Sequence, residues 1–213
     1  MVRGDSKWLS AAILAGGASS RMGVEKGLVS LAGKPMILHV IEACMALTRD
    51  IFVVAGSDNV ESYAERLDGV VEVIRDVEAG FRSPIVGAYT AFLHRGNGYL
   101  LLLPCDAPLV NPVVLSFLRS LAEGWDAVVP RWPNGYIEPL VAVYDAGKAS
   151  QAADEALRAG RRDMMGLMER ISPLYVSTMT IKELDPELET FFNVNTADDL
   201  VLAEEKMKKR RGG

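Results

Sequence analysis

The chain of 213 residues is 49% hydrophobic and 24% charged, a balance that excludes a disordered protein and is long enough to bury a core without staples. Its net charge of −5 argues against a nucleic-acid surface, and no apolar run approaches the ~20 residues that a membrane span needs. The two cysteines, Cys44 and Cys105, exclude a disulfide framework and a Cys-based zinc site, and point to a reducing cytoplasm.

The segment Met1–Lys7 is short and polar. Leu9–Leu14 then reads as a buried strand, and its passage straight into Gly16-Gly17 is not the build of a cleaved signal peptide. Pro35–Leu47 predicts a helix with Pro in its first turn. Ile51–Ala55 follows as a strand, Asn59–Leu67 as a helix and Val70–Ile74 as a strand. Ser83-Pro84 opens a helix to about His94, because Ser caps and Pro fits the first helical position. Tyr99–Leu103 is the most apolar stretch, the pattern of a central parallel strand covered on both faces.

Asn111-Pro112 starts the next helix by the same logic. Ala127–Val129 and Leu140–Tyr144 are strands around a Pro/Gly/Asn-rich connection, Pro130 to Gly135. Ala146–Ala159 and Met164–Ile171 are helical stretches, and Leu174–Ser177 is a strand. The last helix begins at Thr196, with Asp199 placed as the acidic partner of a capping box. The basic run from Lys206 to Arg211 reads as a helix end followed by a frayed tail. One domain over residues 1–205 with a disordered tail over 206–213 is therefore expected. Strand-helix alternation of this kind implies an α/β fold with a single doubly wound, mostly parallel sheet. Ligands of such sheets sit beyond the C-terminal strand ends, so the loops after strands carry the chemistry.

The first such loop runs Leu14-Ala15-Gly16-Gly17-Ala18-Ser19-Ser20-Arg21-Met22-Gly23-Val24-Glu25-Lys26. Glycines let backbone N–H groups approach phosphate oxygens closely. Ser19 and Ser20 add hydroxyl donors, and Arg21 and Lys26 supply cations for the β and γ phosphates. The loop is neither a Walker-type nor a dinucleotide-type glycine loop. Asp106 directly follows the Tyr99–Leu103 strand, where a lone carboxylate suits Mg²⁺, which takes one or two carboxylates plus phosphate oxygens. A turn Asp before Pro108 is the structural alternative. Asp76 ends the third strand in the same manner.

The run LAGG-x3-RMG-x2-K resembles the signature of the nucleotidyltransferases that include the molybdenum cofactor guanylyltransferases. Gly33-Lys34-Pro35-Met36 resembles that family's G-K-P-L/M helix start, and Ser83-Pro84-Ile85-Val86-Gly87 its G-P-L-x-G segment. Pro104-Cys105-Asp106-Ala107-Pro108 resembles its C-D-x-P metal loop, and Asn193-Val194-Asn195-Thr196 its N-V-N-T. Order and spacing hold from about Ala11 to Leu202.

The resemblance implies a Rossmann-like nucleotidyltransferase fold and transfer of GMP from GTP to molybdopterin. It implies a nucleotide site of Leu14, Ala15, Gly16, Gly17, Ser19, Arg21, Lys26, Asp76, Gly87 and Asp106. Arg21, Lys26 and Asp106 would be catalytic, with Mg²⁺ on Asp106. Arg162, Asn193 and Asn195 would bind the acceptor, and Glu138-Pro139 stands where the family often shows an acceptor-side loop. Transient contact with cofactor-delivering or apo-enzyme proteins belongs to the same expectation.

The family's guanylyltransferases carry Asn after the second strand, where this chain reads Ala55-Gly56-Ser57, and the region after Gly124 matches loosely. A cytidylyltransferase for the same pterin, and a nucleotidyltransferase for another phosphorylated acceptor such as a sugar phosphate, therefore remain open. A non-catalytic nucleotide-binding module would keep the glycines without needing Arg21, Lys26 and Asp106 together. His39 and His94 fall on helices and have no catalytic task, because a phosphate monoester is already mostly dianionic at neutral pH.

Overall fold

The longest apolar runs of the sequence form the middle of the sheet. The computed structural model of the protein describes residues 8–16 and 25–212. Strand β1 (Leu9–Leu14) is followed by a small hairpin, β2 (Ser30–Leu31) and β3 (Lys34–Pro35), and by helix α1 (Met36–Met45). Next come β4 (Ile51–Ala55), α2 (Val60–Arg66), β5 (Glu72–Arg75), α3 (Pro84–Arg95), β6 (Tyr99–Pro104) and α4 (Pro112–Ser120). The second half holds β7 (Ala127–Arg131), β8 (Ala142–Asp145), α5 (Ala146–Arg158), α6 (Met164–Met168), β9 (Pro173–Ser177), α7 (Thr178–Ile181) and α8 (Ala197–Gly212).

The sheet has seven strands in the order β5-β4-β1-β6-β8-β7-β9. β1 is parallel to both β4 and β6, and β5 is parallel to β4. The chain winds outward through β4 and β5, then returns to lay β6 on the other side of β1. That reversal opens a crevice at the C-terminal ends of β1 and β6, where Leu14 and Pro104 sit in register.

The central strands are covered on both faces. Ile13, Val53, Leu101 and Leu103 pack with α1, α2 and α4, while Ala12, Phe52, Leu100 and Leu102 pack with α3, α5 and α6. Period-two alternation sends neighbouring residues to opposite faces, which is why β6 reads as an unbroken apolar run. Each fully buried leucine of β6 contributes on the order of 2 kcal/mol.

Three expectations are corrected. β6 is central, but only its β1 side is parallel; β8 returns antiparallel to it. The reason is local: residues 132–141 connect β7 to β8 as a hairpin-like excursion that never crosses the sheet, with Arg131 bridging Ile137. The strand expected from Leu140 begins at Ala142, because Leu140 belongs to the cleft wall. The basic run is not a frayed tail: α8 continues to Gly212. Ala203 and Met207, one turn apart, are buried against Leu31 and Met36, and Lys206 and Arg210 both donate to Glu189, at 2.8 and 2.7 Å. Among the described residues, no helix is long and apolar enough to cross a membrane.

Candidate active site

Loops following β1, β5 and β6 meet the segment before α8 around a cleft of about 580 Å³. Leu14, Ala15, Gly16, Lys26, Asp76, Gly87, Asp106, Asn193 and Asn195 all line it. Gly17, Ser19 and Arg21 lie outside the described residues.

Lys26, Asp106 and Asn195 converge although they lie far apart in the chain. The Lys26 ammonium pairs with Asp106 Oδ2 and donates to Asn195 Oδ1 at 2.7 Å. Asp106 is delivered by β6, and its carbonyl accepts from Val194 N at 2.8 Å, which ties the Asn193–Asn195 segment to the loop after β6. Asp199 holds the other end: its Oδ2 accepts from the backbone N–H of Asn195 and Thr196 at 2.9 and 2.8 Å, and Thr196 Oγ1 accepts from Asp199 N at 3.1 Å. This reciprocal cap is the one expected at the start of the last helix. The Asn195 backbone N–H, first among its partners, holds the Asp199 carboxyl below the usual carboxylate range.

Lys26 opens a single 3₁₀ turn, and the glycine after it fixes where that turn lies. A Cβ on Gly27 would stand 2.7 Å from Tyr63 Oη and 3.2 Å from Cys105 Cβ, so no other residue fits without displacing one of them. Gly27 N–H donates to Tyr63 Oη at 3.1 Å. Burial pushes the Cys105 thiol up to about 12, so Cys105 is a packing residue and not a nucleophile.

Asn59 performs a second positioning task that sequence inspection misses. It is buried, and its amide Nδ2 donates to Ala15 O at 3.2 Å and to Glu25 Oε2 at 2.8 Å. These two acceptors bracket the glycine-rich loop, so one side chain pins both of its ends. No local signal reveals it, because the partners are 44 and 34 residues away.

On the opposite wall, Asp76 Oδ2 faces Gly16 and Gly87. A Cβ on Gly16 or Gly87 would lie 3.7 or 3.8 Å from that oxygen, in ordinary contact, and Asp76 lines the cleft beside both glycines. The other oxygen accepts from the Thr90 hydroxyl. Burial raises the Asp76 carboxyl above its ordinary value, against the smaller lowering pull of Thr90. Ala55 is fully buried in the core beneath α1 and α2. Its side chain does not line the cleft, so its departure from Asn places nothing in the cleft wall.

Arg162 is not part of the cleft wall: its guanidinium stacks over the Phe81 ring at 4.5 Å. The neighbouring Asp163 caps α6 through Gly166 N at 2.9 Å, and it is Met164, the first residue of that helix, that reaches the cleft. Glu138 also lines it, with Oε1 accepting from Trp132 Nε1 at 2.7 Å. His39 bonds Leu31 O and His94 faces Glu72, both away from the cleft lining.

A hard cation fits at Asp106. Among the described residues no group of three His, Cys, Asp or Glu side chains occurs, so a cation held there completes its shell with phosphate oxygens and water, the habit of Mg²⁺. The Lys26 ammonium already rests between Asp106 Oδ2 and Asn195 Oδ1, two oxygens of the kind such an ion takes.

Residues 11–173 match the MobA-like NTP transferase domain. The chain is 37% identical over 194 residues to a probable molybdenum cofactor guanylyltransferase of Thermococcus gammatolerans, covering 89% of this chain and 95% of that protein. It is 32% identical over 200 residues to one of Methanosarcina mazei, covering 90% and 88%. Among solved structures it is similar to molybdopterin-guanine dinucleotide biosynthesis protein A of Archaeoglobus fulgidus, at 33% identity and a TM-score of 0.78, over 94% of this chain and 99% of that one.

Proposed function

The chain belongs to the MobA-like NTP transferase family, and from that premise we propose that it transfers GMP from GTP to the terminal phosphate of molybdopterin, forming the guanine dinucleotide cofactor and pyrophosphate. In this reaction an oxygen of the acceptor's phosphate bonds to the α-phosphorus of GTP in line. The bond from that phosphorus to the bridging oxygen breaks, and its electron pair leaves with pyrophosphate. The attacking monoester is already largely dianionic near neutral pH, so the step requires positioning and charge neutralisation but no general base.

The observation that carries this reading is the meeting of Lys26, Asp106 and Asn195 at the cleft end of β6. Asp106 and the Asn195 amide oxygen are the residues that would hold Mg²⁺, which when bound supplies charge neutralisation across the reacting phosphates. Lys26, released from Asp106, would then bind the departing pyrophosphate together with Arg21 and the amides of Gly16 and Gly17. Asp76, with one oxygen beside Gly16 and Gly87, would accept hydrogen bonds from guanine N1–H and its exocyclic amine. Asn193 and Asn195 would face the acceptor.

Pyrophosphate release, measured with each nucleoside triphosphate in turn and with or without molybdopterin, tests the proposal. Release should require molybdopterin and be fastest with GTP. A kcat/KM for CTP equal to or above that for GTP would end the guanine assignment, and release indifferent to molybdopterin would end the acceptor assignment.

A further inference from the structure

Asn59 and Glu25 each stand where a side chain ordinarily caps a helix, and neither does so. Asn59 is the N-cap residue of α2, and Glu25 that of the 3₁₀ turn that Lys26 opens, yet neither side chain bonds its own helix start. An N-cap Asn normally takes a backbone N–H of the first turn with its side-chain oxygen. Here the two side chains bond each other instead. Asn59 Nδ2 donates to Glu25 Oε2 at 2.8 Å and to Ala15 O at 3.2 Å. The local cap of α2 is forgone for a contact that spans 34 residues.

The orientation of that amide is fixed by chemistry. Its two partners are a carboxylate and a carbonyl, which accept and do not donate, so the reversed amide would set oxygen against oxygen. Asn59 is 2% exposed, and its Oδ1 has no partner among the described residues. The two Nδ2 bonds are thus what holds the side chain among the described polar groups.

One turn further on, Tyr63 holds the other side of Lys26. Tyr63 N donates to Asn59 O at 3.1 Å, the opening bond of the helix, which brings the two side chains onto one face. The Tyr63 ring is buried in the core with Val60 and Leu67, and its Oη accepts from Gly27 N at 3.1 Å. A Cβ on Gly27 would meet both Tyr63 and Cys105, so the turn is seated between α2 and the residue before Asp106. Glu25 and Gly27 are therefore tied to α2 on either side of Lys26. The ammonium of Lys26 bonds Asp106 and Asn195 at the far end of its side chain. Those are the bonds that an arriving triphosphate competes for, whereas the ties to α2 act on the backbone and persist.

We propose that Asn59 and Tyr63 are positioning residues of the transfer reaction, holding Glu25 and Gly27 from one face of α2 so that the Lys26 ammonium reaches the β and γ phosphates. The proposal rests on the phosphate role given to Lys26 above. A lysine side chain is a flexible stem, so its reach is set by where its backbone starts. A shift of about 1 Å there can cost on the order of 10²-fold in rate. The clamp works from behind the turn, since neither Asn59 nor Tyr63 lines the cleft.

Calorimetric titration with GTP and with GMP, without acceptor, tests this with no turnover needed. If the wild type prefers another triphosphate, that nucleotide and its monophosphate take their place. Asn59→Ala should weaken GTP about 10- to 100-fold, the usual effect of losing a hydrogen bond to a charged group, and leave GMP within about 3-fold. Tyr63→Phe, which loses a neutral bond, should weaken GTP about 5- to 10-fold with the same selectivity. Because the clamp acts through Lys26, adding Asn59→Ala to Lys26→Ala should cost less than about 3-fold more. Asn59→Asp sets a carboxylate against Glu25, and Glu25→Gln in the same chain gives the pair a donor again. That swapped pair should recover at least about 10-fold of the GTP affinity that Asn59→Asp loses, and it carries the test if Asn59→Ala does not fold. The clamp is overturned, and the transfer reaction stands, on any of four results: equal weakening of GTP and GMP, GTP affinity unchanged in Asn59→Ala or Tyr63→Phe, a full second loss in the Lys26→Ala background, or no recovery in the swapped pair. If Lys26→Ala itself weakens GTP no more than GMP, the phosphate role of Lys26 falls, and the clamp with it.

Discussion

Replacing Asp106 by Ala separates a catalytic role from a structural one, because the structure assigns the two losses different sizes. Asp106 pairs with Lys26, and their side chains keep 18% and 23% exposure. That places the pair between a surface ion pair, worth up to about 1 kcal/mol, and a fully buried one, whose rupture costs several. Lys26 also keeps Asn195 as a partner, so the variant leaves no isolated buried charge. A stability loss of about 1–2 kcal/mol follows, or a fall in Tm of about 2–8 °C for a chain of this length. Loss of the cation's anchor should instead lower kcat by at least ~10²-fold. The assay is pyrophosphate release at saturating Mg²⁺ and GTP, with Tm measured on the same preparation. Near-normal turnover would refute the assignment of the cation to Asp106. A Tm drop of tens of degrees would show that Asp106 supports the fold instead.

The loop cations give a complementary result: Arg21→Ala and Lys26→Ala should each weaken GTP far more than GMP, because their targets are the β and γ phosphates. Equal losses for the two nucleotides would make them nucleoside-side or structural residues. His39→Gln/His94→Gln should keep kcat at pH 7 within a few-fold, and a loss above ~10²-fold would mean that the mechanism omits a proton transfer. Asp76→Asn should narrow the GTP-over-CTP ratio in kcat/KM without altering the Mg²⁺ requirement. Burial raises the Asp76 carboxyl in the fold, so the stability it contributes is complete below its unfolded pKa and is lost as pH rises through the folded value. The ligand-free Asn variant should thus melt no lower than wild type at pH 7, with any gap closing towards acid pH; a clearly lower Tm would show the carboxylate to be structural.

Groups that follow apolar strands were readable because the pattern places them without help. Asp106 after β6 and Asp76 after β5 sit at the ligand edge of the sheet once those segments are recognised as parallel strands, and Asp199 announces its helix by its spacing from Thr196. What escaped inspection depends on distant partners. Asn59 matters through Ala15 and Glu25, Gly27 through Tyr63 and Cys105, and Thr90 through Asp76; each is an ordinary residue until the fold brings its partner alongside. Arg162, a cation in a suggestive place in the sequence, is stacked by the fold on Phe81, outside the cleft lining. The end of α8 was misread because its buried stripe is narrow, with only Ala203 and Met207 breaking a charged run.

The polar groups in and behind the cleft share a physical theme. The strand core is filled and satisfied, whereas the cleft holds polar groups that folding alone would not select. Asp76 and Glu138 are both raised by burial, with one neutral donor each as the main relief, and Asn59 Oδ1 is buried with no partner among the described residues. Groups of this kind detract from stability unless something else completes them. At Asp106 the completion is internal, since the Lys26 ammonium neutralises the carboxylate before any ligand arrives. A triphosphate entering this cleft brings several negative charges and competes for that same ammonium. Drawing Lys26 towards the phosphates would strip Asp106 of its partner, so the charge it loses must be replaced at the carboxylate by another cation. The proposed reaction therefore calls for a divalent ion because one lysine cannot serve both Asp106 and the departing pyrophosphate.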